Sequence, residues 1–305
     1  MKVLVTGGAG FIGSHVADLL IGQGYDVHVL DNLSSGSLEN VAEAAVFHRL
    51  DIRSQEVEKL FAKERFDILI HHAAQMDVRR SVRSPGFDAD VNIVGLLNLM
   101  EAGRNNGLKK VVFASTGGAI YGEPAHAPQT EEHPLRPVSP YGVSKLAGEK
   151  YLGFYAAQYG IAHVALRYAN VYGPRQNPHG EAGVVAIFAQ RLLGSGQPVI
   201  NGDGLQTRDY IFVSDVAEAN LAAINYRGRS EVINIGTGRE TDVVTIFRYL
   251  RAAIGVSARA VHKDAKEGEQ RRSVLSYEKA RQLLDWTPRI PIEEGLATTA
   301  RWFAE

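Results

Sequence analysis

The chain has 305 residues, with 33 Lys plus Arg against 34 Asp plus Glu, a formal charge of -1, 45% hydrophobic residues and no cysteine. That length buries a sizeable core in one or two domains, and the missing cysteines exclude disulfide frameworks, thiolate metal sites and a Cys nucleophile. The balanced charge supplies no basic field for nucleic acid or an anionic membrane as the main partner, so anion binding must be local.

Lys2, Val3, Leu4 and Val5 imitate the start of a signal peptide, but Thr6, Gly7, Gly8 and Gly10 end the apolar run almost at once. No stretch approaches the ~18 apolar residues of a membrane span. Cytoplasm is the expected compartment, which a Cys-free sequence permits. Short apolar runs at 3–5, 27–30, 46–50, 68–70, 111–113 and 164–166 predict strands, each lying between helix-period segments. Continuous rather than alternating hydrophobicity marks a parallel sheet covered on both faces, hence a doubly wound α/β (Rossmann) domain. Past about Leu166 the pattern turns irregular, with Gly173-Pro174 and a Gly-rich stretch at 201–204. We therefore expect a nucleotide-binding domain over 1–168, to which the chain returns near 209–224, and a smaller α/β substrate domain over 169–305.

The first strand runs into Thr6-Gly7-Gly8-Ala9-Gly10-Phe11-Ile12-Gly13 and a helical pattern to about Leu20. Two registers fit a dinucleotide fingerprint, Gly8-x-Gly10-x-x-Gly13 and Gly7-x-x-Gly10-x-x-Gly13. Such glycines let pyrophosphate oxygens reach backbone N–H groups at a helix N-terminus. No Lys-Ser/Thr follows the last glycine, which excludes a Walker A loop. Asp31 ends the next strand 18 residues after Gly13, near the offset at which an acid takes the adenosine ribose hydroxyls. Asn32 rather than Arg follows it. A carboxylate there repels a 2′-phosphate, so NAD is expected over NADP. Asp51 closes the third strand, where it either contacts adenine or caps a helix.

Two further constellations carry chemistry. Residues 113–122 leave the end of a strand, the edge at which open α/β sheets place their sites. There Ser115 or Thr116 would hydrogen-bond a sugar alcohol or ketone, or make a local loop bond. In Ser139-Pro140-Tyr141-Gly142-Val143-Ser144-Lys145, Ser139 suits a helix cap and Pro140 a first turn, placing Tyr141 and Lys145 one turn apart on one face. A cation beside a phenol favours phenolate and lowers the Tyr pKa towards the range of a general base. Ser276-Tyr277-Glu278-Lys279 reads as a helix start, and Arg79, Arg80 and Arg83 as a solvated loop near the cofactor. The 10 histidines show no His-Glu-x-x-His spacing, and no metal is expected.

These motifs, with His71-His72-Ala73-Ala74-Gln75, Asn92, residues 167–174, Arg208-Asp209-Tyr210 and Asn234-Ile235-Gly236, resemble over nearly the whole chain an extended short-chain dehydrogenase/reductase. Within that group the chain is similar to the UDP-glucose (UDP-galactose) 4-epimerases. The resemblance implies NAD as cofactor and a UDP-hexose as substrate, with Tyr141 the base, Lys145 anchoring the nicotinamide ribose, and Thr116 or Ser115 the hydroxyl at the sugar 4-OH. It implies coenzyme contacts at Gly7, Gly10, Phe11, Ile12, Gly13, Asp31, Asn32, Ser34, Gly36, Asp51, Ile52, Ala73, Ala74, Gln75, Asn92 and Tyr168. Substrate contacts would come from Asn170, Val184 and Arg208, the last meeting the diphosphate unless it pairs with Asp209 or Asp203.

Two departures bear on specificity. Lys266-Glu267-Gly268-Glu269 stands where many relatives have Arg before Glu-Gly-Asp, so a phosphate contact passes to Lys266 or Arg271. Ser273 occupies the position of a sugar-pocket gate that relatives fill with Tyr or a small residue, so N-acetylated UDP-hexosamines are expected to fit. Dehydratases of the group place Asp-Glu after the Thr, where this chain has Gly117 and Gly118, which sets a 4,6-dehydratase, a decarboxylase or an epimerase acting at another carbon second. A non-catalytic NAD-binding regulator on the same fold commonly loses the Tyr or the Lys, and both are present. Relatives are often homodimers joined by a helix bundle, here the helices near 91–104 and 143–155, whose apolar excess equally suits burial against the sheet.

Overall fold

The structure is a computed structural model that describes residues 1–179, 183–194, 196–265 and 270–305. In chain order the first half gives β1 (Lys2–Thr6), α1 (Phe11–Gly22), β2 (Asp26–Asp31), β3 (Val46–Arg49), α2 (Glu56–Glu64), β4 (Ile68–His71), α3 (Val78–Arg83), α4 (Pro85–Ala89), α5 (Gly95–Asn105), β5 (Lys110–Thr116), α6 (Gly117–Ile120), α7 (Pro140–Tyr159) and β6 (Ala162–Tyr168). Each expected apolar run lies on a strand, apart from Leu50, which falls one residue past β3. Arg79, Arg80 and Arg83, expected in a loop, lie on α3, which Asp77 caps by accepting from Arg80 N at 2.7 Å.

The second half gives β7 (Asn170–Tyr172), α8 (Val184–Leu193), β8 (Val199–Asn201), β9 (Thr207–Arg208), β10 (Tyr210–Phe212), α9 (Val213–Asn225), β11 (Glu231–Ile235), β12 (Thr241–Asp242), α10 (Val243–Ile254), β13 (Val261–Lys263), α11 (Glu278–Leu284) and α12 (Ile292–Ala304). Seven strands build one sheet in the order β11-β6-β5-β4-β1-β2-β3, with every neighbouring pair parallel. Strand order reverses between β1 and β4, which opens a crevice at the carboxyl ends of the strands.

Alternation along each strand sends side chains to both faces. Val3, Val5, Ile70, Val112 and Leu166 pack with Val16 and Leu20 of α1 and Val216 and Ile224 of α9. Leu4, Leu69, Val111, Phe113 and Ala165 pack with Phe61 of α2, Leu99 of α5 and Leu152 of α7. Both faces are therefore dry, which is why these strands read as unbroken apolar runs. The chain returns to the sheet with α9 and then β11. A third core, around Phe188, Phe247, Leu250 and Leu296, joins α8, α10 and α12 beyond the sheet. Among the described residues no helix is long and apolar enough to cross a membrane.

Candidate active site

The turn between β1 and α1 is shaped by close approaches. Gly7 adopts φ +70°, and a Cβ there would stand 2.6 Å from Ala73 N. A Cβ on Gly13 would collide with the Gly7 carbonyl oxygen. Packing therefore demands both glycines. Gly10 differs, because a Cβ there would meet only Gly7 O, at 3.2 Å. It is the N-cap of α1 and offers no side-chain cap, and no acid stands in the first turn. The first N–H groups of α1, from Phe11, Ile12 and Gly13, are thus presented to an anion across an unobstructed glycine. This arrangement fits the pyrophosphate of a dinucleotide.

Asp31 ends β2 beside this turn. Its Oδ2 accepts from Ala9 N at 3.1 Å and its Oδ1 from Leu33 N at 2.8 Å, leaving a lone pair on each oxygen for ribose hydroxyls. Ser34 N donates to Asn32 Oδ1 at 3.0 Å, and Gly36 lies against Ala9. Asp51 falls two residues past β3 and takes Arg53 Nε and Nη2 at 2.9 and 2.7 Å, with Asn32 Nδ2 at 3.0 Å. Those bonds hold its carboxyl far below the usual range.

Several expected coenzyme residues also brace the fold. Ile52 is buried against Gly95, where a Cβ would come within 2.6 Å of it, so only its backbone is available. Asn92 clamps the loop after β4, its Oδ1 accepting from Gln75 N and its Nδ2 donating to Gln75 O, both at 2.9 Å. The Gln75 amide is itself bound to Asp77 and Asp88. Their amides point into this network, which fixes the backbone at Ala73 and Ala74. The Tyr168 phenol is likewise committed, to His72 Nε2 at 3.2 Å and to Asn220 Nδ2 at 2.9 Å, with its ring in the sheet core.

α7 starts as its sequence predicts. Ser139 Oγ accepts from Gly142 N at 3.2 Å and Pro140 stands in the first turn. Lys145 is buried, donates from Nζ to Ala114 O at 2.8 Å and lies 5.9 Å from the Tyr141 ring centroid. Burial lowers the Lys145 amine to about 8, with Asp88 opposing, so it is charged at neutral pH and discharges as pH rises through about 8. The Tyr141 phenol is pushed up by burial, reinforced by Asp88. This differs from the expectation of a lowered phenol: in the coenzyme-free chain, desolvation of the phenolate and the Asp88 carboxylate both act to raise it.

At the end of β5 the two candidate hydroxyls part company, because successive residues on a strand face opposite ways. Ser115 is buried and donates to Glu149 Oε1 at 2.6 Å. Thr116 Oγ1 accepts from Ala119 N at 3.3 Å, which leaves its O–H to donate to a ligand. Glu149 was not singled out from sequence, yet it continues the four-residue spacing of Tyr141 and Lys145. Asp88 was missed as well. It is fully buried, holds Gln75, Asn92 and Ser144 Oγ, and its signal is an acid four residues before Asn92.

Three segments of the second half converge near this loop. Thr207 N donates to Arg271 O, Asp209 N to Ser273 O and Asn170 N to Asp209 O, at 2.9, 2.8 and 2.8 Å. Asn170, Arg208, Arg271 and Ser273 are thereby brought together, and Leu275 extends the segment to Gly117, where a Cβ would stand 2.5 Å from its Cδ1. Asp203 pairs with Arg271 at 3.2 Å, and Asp209 is buried under Thr237 and Gly238, where desolvation raises its carboxyl. Val184 opens α8, half-buried. Lys266 lies outside the described residues.

Residues 3–236 match the NAD dependent epimerase/dehydratase family. The chain belongs to this family. A relative described as a putative UDP-glucose 4-epimerase, from Methanocaldococcus jannaschii, is 46% identical over 98% of this chain and 97% of its own. The solved UDP-glucose 4-epimerase of Thermotoga maritima, with UDP-glucose, superimposes with a TM-score of 0.97 at 49% identity, covering 99% of this chain and 98% of that one. The Thermus thermophilus UDP-glucose 4-epimerase in complex with NAD gives 0.93 at 45% identity, covering 99% of each chain. An epimerase/dehydratase of this family is NAD dependent, which agrees with the open Gly10 cradle and with Asp31 beside it.

Proposed function

We propose that the chain interconverts UDP-glucose and UDP-galactose at C4 through a transient 4-keto sugar, with UDP-GlcNAc and UDP-GalNAc as further substrates. The observation that carries this reading is Tyr141 and Lys145 on one face of α7 beside the end of β5, where Thr116 stands and no acid follows it. NAD, when bound, supplies the acceptor and donor of the C4 hydrogen and a positive ring beside the phenol. Tyr141 takes the proton of the C4 hydroxyl as the C4–H bond breaks, and returns it when that bond is remade on the other face. Thr116 donates to the same sugar oxygen and orients it. Lys145, anchored on Ala114 O, holds its charge near Tyr141. Arg208 pairs with diphosphate oxygens, assisted by Asn170. With binding energy concentrated on UDP, the hexose is left free to turn between the two half-reactions.

Gly117 packs on Leu275, and a Cβ on Gly118 would meet nothing within 4 Å. A dehydratase of the group places an acid and a base at these positions, and the two glycines supply neither. Proton NMR of UDP-galactose with purified protein and no added coenzyme is expected to show the C4 epimer, whereas unchanged sugar even after NAD is added would remove the reading. Ser273 is buried and small, which favours the bulkier N-acetyl sugars. Turnover of UDP-GlcNAc is accordingly expected, with Ser273→Tyr suppressing it more than turnover of UDP-galactose. No UDP-GlcNAc turnover at enzyme levels that equilibrate UDP-galactose would sink that extension.

We further propose a homodimer formed through α5 and α7, and a cytoplasmic setting, which suits a chain that relies on no disulfide. α7 exposes Val143, Tyr151, Phe154 and Tyr159, and Val94 is exposed just before α5. An apolar stripe of that size favours burial against a second copy. Light scattering during gel filtration is expected to give about twice the 33.2 kDa chain mass; a monomer across the accessible concentration range would exclude the pairing.

A further inference from the structure

The Gly-rich turn and Asp31 come from different strands, yet both must meet one dinucleotide, so something has to hold them in register. Ala9, at the centre of the turn, is fully buried. Its N–H is fixed by Asp31, and its carbonyl oxygen accepts from two donors of the segment after β2: Ser37 N at 3.0 Å and Asn40 Nδ2 at 3.0 Å. A Cβ on Gly36 would stand 2.7 Å from the Ala9 carbonyl, so glycine is needed for the segment to land there. Asn32, Ser34, Ser35, Leu38 and Glu39 are exposed, leaving the segment little apolar packing of its own. Asn40 is its side-chain anchor on the turn.

We propose that Asn40 is a coenzyme-positioning residue: by tying residues 32–40 to Ala9 it locks the ribose-binding and pyrophosphate-binding halves of the cradle together and slows escape of NAD. The proposal rests on the NAD-dependent reading. A reaction with no net redox change never needs to exchange its coenzyme, so a device that retains it suits this chemistry. Pre-forming the cradle also removes ordering that binding would otherwise have to supply.

The test is the release of bound NADH into excess NAD, followed by loss of its fluorescence. Asn40→Ala, and the near-isosteric Asn40→Asp, which lacks the donor, are expected to release coenzyme about 3- to 10-fold faster, as loss of one net hydrogen bond implies. Activity lost on dilution should be recovered by adding NAD. Hydrogen exchange of the unaltered protein supplies a readout independent of either variant. If strap and coenzyme are coupled, the Ser37 amide exchanges more slowly when NAD is bound, by reciprocity of linkage. Release at the wild-type rate from both variants, or Ser37 protection indifferent to NAD, overturns the proposal. Failure of the unaltered protein to bind NADH at all overturns instead the NAD-dependent reading.

Discussion

Tyr141→Phe is expected to lower kcat for UDP-galactose by about 10²- to 10⁴-fold while the protein still binds NAD and UDP-sugar. The substitution keeps the ring of a half-buried side chain and removes only the oxygen that we propose exchanges a proton with the sugar. Because the coenzyme-free phenol is raised by burial, its phenolate is scarcely populated until positive charge beside it lowers that pKa. Lys145, whose amine titrates near 8 in the free protein, contributes part of that charge. Turnover by stopped assay, read beside the nucleotide released on denaturation, checks the prediction. Near-normal turnover in the variant would remove Tyr141 from the role of base, and loss of bound nucleotide together with activity would mean that the cradle had been damaged.

Glu149→Ala is expected to destabilise the protein by about 3–5 kcal/mol, the cost of leaving a buried ionic partner unpaired. Arg167 donates to Glu149 through Nε at 2.9 Å and Nη2 at 2.7 Å, and through Nη1 to Tyr121 Oη at 2.8 Å. The side chains of this pair are 4% and 3% exposed, so water cannot replace the lost carboxylate. Tyr121 continues the chain by donating to Asn234 Oδ1 at 2.7 Å. The network thus joins α7, β6, β11 and the turn after α6, and Ser115 ties β5 to it through Glu149. Urea unfolding of the coenzyme-free protein measures the effect. A loss below about 1 kcal/mol would place the pair among weakly coupled surface contacts. Replacing both partners with Met should cost less than removing Glu149 alone, since no orphan charge remains.

Much of the site was legible because its chemistry is local in sequence. The glycines of the first turn, Asp31 at a strand end, and the capped start of α7 each depend on a few consecutive residues whose backbone preferences are strong. The four-residue spacing of Tyr141 and Lys145 needed only the helix period. Illegible were the residues whose role depends on a partner far away in the chain. Nothing near Asn92 says that its amide would turn to Gln75, and nothing near Tyr168 says that its phenol would reach Asn220, 52 residues on. The bracing bonds of such side chains form only once distant loops pack.

The sequence by itself determined the doubly wound order of strands and helices, the dinucleotide cradle and the Tyr–Lys pair, because periodicity, turn chemistry and capping act over short distances. Only the tertiary structure set Ser115 apart from Thr116, since the pleat of β5 and the buried Glu149 draw one hydroxyl inwards and leave the other at the strand end. It also raised rather than lowered the Tyr141 phenol, because burial is a property of everything packed around a group. And it joined residues 170, 207–209 and 271–273 into one cluster through backbone bonds between segments up to about a hundred residues apart, a pairing that hydrophobic pattern alone does not specify.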